Sequence, residues 1–303
     1  MMDRSSLTPR ACPVCSSTDE SNVFAEERLD FSRLDAFAFA SRKVPEYMHF
    51  RLLRCPTCDL LYSNPILPLH SIDSAYEEAA FDSAGEAACA ARTYGQLLST
   101  FLTKLPDRVG ALDIGTGDGA FLGELLQKGF SEVVGVEPSR MPVESSRPEI
   151  RPHIRLGVFN ASDFNPESLS LVTCFQTLEH VSEPLEICRS IFRLLKKGGA
   201  FFAVSHNCSS FSARVLGTKS PIIDIEHLQI LSPKSARFLM EKAGFSRIEI
   251  KPIINRYPLH FWTKLFPLPK SVKMPLIAGL KATGIGYLPI PLPAGNISIV
   301  GYK

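Results

Sequence analysis

The sequence predicts an α/β fold, a mostly parallel sheet with helices on both faces, preceded by a small cysteine-stapled module. Three observations carry that expectation. From residue 109 onward, short apolar runs alternate with helical segments, the pattern of parallel strands joined by crossover helices. Val109 to Leu122 reads Val-Gly-Ala-Leu-Asp-Ile-Gly-Thr-Gly-Asp-Gly-Ala-Phe-Leu, a buried strand, a glycine turn and the first turn of a helix. Near the N-terminus four cysteines form two knuckles, Cys12-Pro-Val-Cys15 and Cys55-Pro-Thr-Cys58.

The knuckles have the inner spacing of a tetrahedral thiolate zinc site, and two matched copies argue against a redox pair. With four protein ligands and no open position, such a Zn2+ is structural. Their separation exceeds the roughly 15–20 residues usual in a ribbon, so extra structure is expected between them. The zinc-ribbon-like module is expected over 1–70. The Asn64-Pro65 and Leu67-Pro68 pairs then break the chain, and an Ala-rich segment over 71–105 reads as helix, interrupted near Gly85 and linking to the next domain at about 107.

Strands are expected at 109–114, 132–137, 154–156, 169–175, 200–205 and 246–251, with a closing strand at 296–302. Helices are expected at 120–128, 184–195 and 233–243, each stopped by a glycine: Gly129, Gly198 and Gly244. Ser232 before Pro233 is a good N-cap and first-turn pair. The core domain is expected over 108–255. Residues 257–294 have another texture, rich in proline, lysine and aromatics, including Phe261, Trp262, Phe266 and Tyr287. This stretch reads as a packing excursion or as a lid over substrate, ahead of the closing strand. Weak membrane-surface contact is a further reading, although the prolines are expected to spoil a continuous amphipathic helix.

The glycine turn fits two ligand classes. Gly115, Gly117 and Ala120 satisfy a loose dinucleotide fingerprint; Gly115, Gly117 and Gly119 satisfy a tighter one. Charge separates them. A pyrophosphate rests on a helix N-terminus where carboxylates are unwelcome, yet Asp113 ends the strand and Asp118 sits inside the turn. Two acids suit a cation without phosphate, such as the sulfonium and α-ammonium groups of S-adenosylmethionine. Glu137, twenty positions after Gly117 at the end of Val133-Val134-Gly135-Val136, suits ribose hydroxyls in either class.

Further blocks follow: Val-Val-Gly-Val-Glu-Pro-Ser, Phe-Gln-Thr-Leu-Glu-His-Val, Leu-Leu-Lys-Lys-Gly-Gly, and Glu-His-Leu-Gln-Ile-Leu-Ser ahead of Lys-Ala-Gly-Phe. In this order over 109–250 the chain resembles the class I S-adenosylmethionine-dependent methyltransferases, particularly the group containing the ubiquinone-type O-methyltransferases. The likeness implies a Rossmann-like sheet of seven strands, six parallel and one antiparallel. It places Gly115, Thr116 and Gly117 against the methionine portion, Asp113 near its ammonium end and Glu137 on the ribose. Asp118, Gly119, Pro138, Phe159, Phe175 and Gln176 complete the expected cofactor set. Relatives often follow the glycine of the third-strand region with an acid that holds adenine; here Gly157 precedes Val158 and Phe159. The knuckles resemble the module found in some sugar methyltransferases of antibiotic and surface-glycan pathways.

Methyl transfer needs alignment and exclusion of water, and a base only where the nucleophile must lose a proton. His180 is the expected base, with Glu179 orienting its ring or lining the pocket; His206 and His227 read first as structural histidines satisfied by hydrogen bonds, and second as residues bordering the cleft. Ubiquinone-type relatives can bind a divalent cation at Glu-x-x-Glu-His, but this chain has Gln176 at the first position, which argues against a catalytic metal. A net charge of +2 gives no general pull toward nucleic acid. The expected acceptor is therefore a small polar molecule such as a sugar or glycan precursor. The rivals are an RNA methyltransferase and a non-catalytic scaffold that retains the cofactor. With no apolar signal segment and no run of about 18 uncharged apolar residues, a cytoplasmic location is expected.

Overall fold

The computed structural model describes residues 6–31, 47–68, 84–266 and 268–303. Three short strands, β1 (Val23–Ala25), β2 (Leu52–Arg54) and β3 (Leu61–Ser63), form an antiparallel meander. A fourth strand, β9 (Gln229–Ile230), joins it from far along the chain, giving the order β1-β2-β3-β9. The N-terminal sheet is thus completed by the second half of the sequence.

The main sheet contains β4 (Val109–Ile114), β5 (Ser131–Glu137), β6 (Ile154–Leu156), β7 (Leu169–Phe175), β8 (Leu195–His206), β10 (Arg247–Pro252) and β13 (Asn296–Tyr302). Their order is β10-β13-β8-β7-β4-β5-β6, and only β13 runs against its neighbours. This is the seven-stranded, mostly parallel α/β arrangement expected from the sequence. Strand succession reverses direction at β4, leaving a crevice at the carboxyl ends of β4 and β7, where α/β sheets bind ligands. Apolar side chains fill both faces: Leu112, Val172, Phe201 and Ile299 on one, Ala111, Leu171, Phe202 and Val300 on the other.

The helices begin and end for local reasons. Helix α1 (Ala84–Ser99) carries Gly85 in its first turn; the part of the expected helical segment before Ala84 lies outside the described residues. Beyond Ser99 that segment is not α-helical, and Leu102–Lys104 forms a 3-10 turn. Helix α2 (Ala120–Gln127) ends before Gly129 at φ 82°. Short α3 (Arg140–Ser145) follows β5, and α4 (Pro184–Leu194) follows β7. After α5 (Phe211–Leu216) comes α6 (Pro233–Ala243), whose Ser232 and Ser235 form a reciprocal capping box and whose Gly244 is left-handed. Gly198 is not a helix cap. Strand β8 starts at Leu195, and Gly198 at φ 79° already sits in it, its N–H donating to Lys303 O.

The C-terminal excursion has more structure than its prolines suggested. Strand β11 (Asn255–Pro258) pairs with β12 (Pro289–Leu292), and between them lie α7 (Leu259–Leu265) and α8 (Lys270–Ala282). Pro275 sits inside α8 without stopping it, so proline did not prevent a 13-residue helix here. Helix α7 turns Phe261 inward and fixes Trp262 by an Nε1–H···O bond of 2.9 Å to Ile290.

Candidate active site

At the carboxyl ends of β4 and β7 lies a cavity of about 640 Å³. Its first wall is the turn after β4. The N–H groups of Gly115 and Thr116 donate to Val136 O at 2.9 and 3.2 Å, tying the turn to β5. Gly115 has φ 73°, and a Cβ there would strike the Thr177 side chain. Gly117, at φ 59°, has open space where a Cβ would stand, so its bare backbone faces the cavity. A side chain at Gly117 would fill the space the turn leaves for a ligand.

Three carboxylates stand around this turn. Asp113 is buried, accepting from Thr173 Oγ1 at 2.6 Å and Thr116 Oγ1 at 2.7 Å. Burial raises its pKa to about 6, while the two hydroxyls oppose the rise. Glu137 is also buried and accepts from Gly117 N at 2.8 Å and Ser139 N at 2.9 Å; burial again pushes its pKa upward. Asp118 accepts from Ala120 N at 3.1 Å, satisfying an orphan donor at the start of α2. All three line the cavity, and among the described residues no Lys or Arg does.

Thr116, Pro138, Phe159, Phe175 and Gln176 also line it, as do Gly115 and Gly117. Gly119 does not. It is the left-handed N-cap of α2, and a Cβ would meet Ile150 Cγ2 at 2.5 Å, so its glycine serves packing under the turn. Phe175 is wedged between Tyr94 and Phe121, with ring centroids 4.5 and 4.6 Å away. Helix α1 contributes Ala87, Ala90, Ala91 and Tyr94 to the wall, a role the sequence reading missed. A row of small side chains ending in an aromatic was the available signal.

The other end of the cavity is a cluster of side chains from distant segments. His180, His206, Asp224, Glu226 and His227 line it. The ring centroids of His180 and His227 are 5.0 Å apart, as are those of His206 and His227. Each Nδ1 faces an oxygen at 2.9 Å: Glu226 O for His180, Ile222 O for His227 and Asn296 Oδ1 for His206. A carbonyl oxygen only accepts, so Nδ1 carries the hydrogen and the neutral ring's lone pair lies on Nε2. Burial lowers the His180 pKa. His180, Glu226 and His227 also bring donor atoms within 4.8 Å of one another.

Glu179 does not share this site. Its side chain turns beneath the end of β8, where Oε1 accepts from Ser205 Oγ at 2.7 Å and His206 N at 2.6 Å. It is 1% exposed, holds the strand that presents His206 and does not line the cavity; its charge favours protonated His180, against the effect of burial. Tyr257, Phe261, Trp262, Leu265 and Phe266 from the excursion also line the cavity.

Away from the cavity, the Sγ atoms of Cys12, Cys15, Cys55 and Cys58 lie within 4.8 Å of one another. The two knuckles repeat one geometry: Ser16 N donates to Cys12 O and Asp59 N to Cys55 O, with φ 62° and 66° at Ser16 and Asp59. Arg10 lies beside them, donating to Ser63 O at 2.9 Å and Leu228 O at 2.6 Å, and so ties the N-terminal sheet to the core. Nothing in the sequence distinguished this arginine.

Residues 86–250 match the family model described as a methyltransferase domain. The chain is 25% identical over 166 residues to a ubiquinone biosynthesis O-methyltransferase of Aliivibrio fischeri, spanning 49% of this chain and 70% of that protein. It is 24% identical over 166 residues to the Vibrio cholerae protein of the same name, spanning 49% and 67%. The YcgJ protein of Bacillus subtilis shares the fold, at 18% identity and TM-score 0.50, over 69% of this chain and 98% of that one. With its sheet, its turn and this match over more than half its length, the chain belongs to the methyltransferase-domain family and is an S-adenosylmethionine-dependent methyltransferase.

Proposed function

We propose that this enzyme transfers the methyl group of S-adenosylmethionine to a hydroxyl of a small polar acceptor such as a sugar or glycan precursor. The observation that carries this reading is the cluster of His180, His206 and His227 with Asp224 and Glu226, which faces the acid-lined turn across one cavity. Gly115, Thr116 and Gly117 would lie against the methionine portion, Asp113 would supply negative potential near the ammonium group, and Glu137 would take the ribose. Phe159 and Pro138 would border the adenine, and Phe175 and Gln176 the reacting methyl. Bound there, S-adenosylmethionine would supply an electrophilic methyl to the acceptor oxygen and leave as the neutral thioether. The hydroxyl proton passes to Nε2 of His180, whose Nδ1–H is held by Glu226 O. The relatives named for O-methyl transfer support oxygen as the acceptor atom.

The domain reading accompanies this proposal: a module over 1–70, a helical linker over 71–107, the cofactor core over 108–255, and a lid with closing strand over 256–303. The lid is supported by the aromatic and aliphatic side chains it places on the cavity wall, from Tyr257, Phe261 and Trp262 to Leu292. The module's thiols fit a structural Zn2+. Four sulfurs at about 2.3 Å from a tetrahedral ion stand about 3.8 Å apart. Here Cys12–Cys58 and Cys15–Cys55 are separated by 3.6 and 3.3 Å, and all four cysteines are free of disulfides. Zinc would tie both knuckles together in a unit too small to rely on its own core.

The test is transfer of isotope-labelled methyl from S-adenosylmethionine to a panel of nucleotide sugars, oligosaccharides and RNA. Label in a hydroxylated small molecule, lost in His180→Ala, supports the reading. Label in RNA alone, falling steeply with salt, contradicts it.

A further inference from the structure

The charge of this chain is unevenly placed. Its 31 acids all lie at or before Glu249, while Lys251, Arg256, Lys264, Lys270, Lys273, Lys281 and Lys303 follow. The last 54 residues therefore carry cations and not one carboxylate side chain. Lys251 and Lys303 pair with Glu249 and Glu167 and Lys273 is buried, so outside these contacts Arg256, Lys264 and Lys281 are the described cations that reach the surface. Within this stretch α7, α8 and the turn Ile285–Tyr287 pack on one another: the buried Lys273 ammonium donates to Lys264 O at 3.0 Å, and the His260 and Tyr287 rings meet edge-on with centroids 5.3 Å apart.

The outer surface of this unit is apolar. Val272, Met274, Leu276, Ile285, Tyr287 and Leu288 are all between 44% and 59% exposed. Phe266 lines the cavity and is 64% exposed, so it stands at the cavity mouth. Helix α5 also sets Leu216 on the cavity wall and leaves Phe211 and Val215 exposed at 84% and 66%. Phe266 and Leu216 thus join the cavity wall to segments that expose large apolar side chains. Patches of this kind mark an interaction surface.

We propose that α7, α8 and the Ile285–Tyr287 turn form a docking face for an anionic lipid bilayer, with the cavity mouth at the membrane surface. Two features select a bilayer. Exposed apolar side chains beside Lys264 and Lys281, in a unit without acids, match the interfacial layer of an anionic membrane, where each cation near the surface adds attraction. A second copy of this chain on the same face would instead set lysines against lysines. No helix among the described residues is long and apolar enough to cross a membrane, so the contact is peripheral. An acceptor with a polar head and an apolar tail would enter from the bilayer with its head toward His180. That last point rests on the methyl-transfer reading; the docking face does not.

The experiment is sedimentation of the full chain with vesicles of phosphatidylcholine alone or with about a third phosphatidylglycerol. Binding is expected only with the anionic vesicles and should weaken as salt rises from ~0.05 to ~0.5 M. The combined Met274→Ser, Leu276→Ser and Leu288→Ser variant should lose about tenfold or more in partitioning, and Lys281→Glu a few-fold. Melting temperature and calorimetric affinity for S-adenosylmethionine should be unchanged in both, which separates loss of docking from loss of fold or of cofactor binding. Equal binding to neutral vesicles, no binding to anionic ones, or a dimer that the triple variant splits would overturn the proposal.

Discussion

The two ends of the cavity are built by opposite means. One is made by a single turn of backbone, five residues from Gly115 to Gly119, braced by the carboxylates of Asp113 and Glu137. The other is made by side chains from the segment after β7, the end of β8 and the segment after α5. A turn fixed by its own hydrogen bonds is suited to a ligand that never changes. A wall assembled from separate loops can be altered one loop at a time without disturbing the cofactor. The same division explains why a methyltransferase domain can serve many acceptors.

If the two ends are independent, a change at the histidine cluster should alter turnover and leave cofactor affinity alone. His180→Ala should lower kcat by roughly 10²–10⁴, with the calorimetric Kd for S-adenosylmethionine within about twofold of the parent. Because the base must be neutral and burial lowers its pKa, wild-type kcat should fall only as pH drops below the usual histidine value of about 6.5. A large loss of cofactor affinity in His180→Ala would break the comparison.

At the other end the consequence reverses. Gly117→Val adds a side chain into the open space of the turn and imposes φ 59° on a β-branched residue. Affinity for S-adenosylmethionine should drop about 100-fold or more, measured by calorimetry, with the unliganded melting temperature falling by only a few degrees. Glycine at this position was recognisable from the pattern alone, since a turn that spends three glycines in five residues has few other reasons to exist.

Asp113→Asn should weaken cofactor binding about tenfold, because the neutral amide keeps the shape and discards the charge. The smallest effect is protonic. The Asp113 pKa is raised to about 6 in the fold, above roughly 3.9 when unfolded, so this group's share of stability is present at low pH and lost as pH rises through 6. A cationic ligand favours the ionised form. Binding near pH 6 should therefore release a fraction of a proton, seen as a buffer-dependent calorimetric heat that Asp113→Asn abolishes.

What the sequence made legible follows the same division. Strands β4, β6, β7 and β13 and the cofactor turn are specified by residues adjacent in the chain, so period and glycine spacing revealed them. Tertiary placement decided the rest. Gly119 satisfied the motif yet faces Ile150, and Glu179 sits beside His180 in sequence while its carboxylate points under β8. Gly198 looked like a cap but lies in β8, because the chain leaves α4 directly into the strand and pairs there with the C-terminus. Arg10 earned no attention, since the carbonyls it satisfies lie 53 and 218 residues away. Helix α8 formed despite Pro275, which limits how far a single residue can veto an element.

Carboxylates in a cavity that no Lys or Arg among the described residues lines make it a receptor for a cation lacking phosphate. Parallel calorimetric titrations of the purified chain with S-adenosylmethionine and with NAD test it most directly. Saturable binding of the sulfonium and no heat from the dinucleotide is the result this account predicts. NAD binding at comparable strength, or none by S-adenosylmethionine, would contradict it.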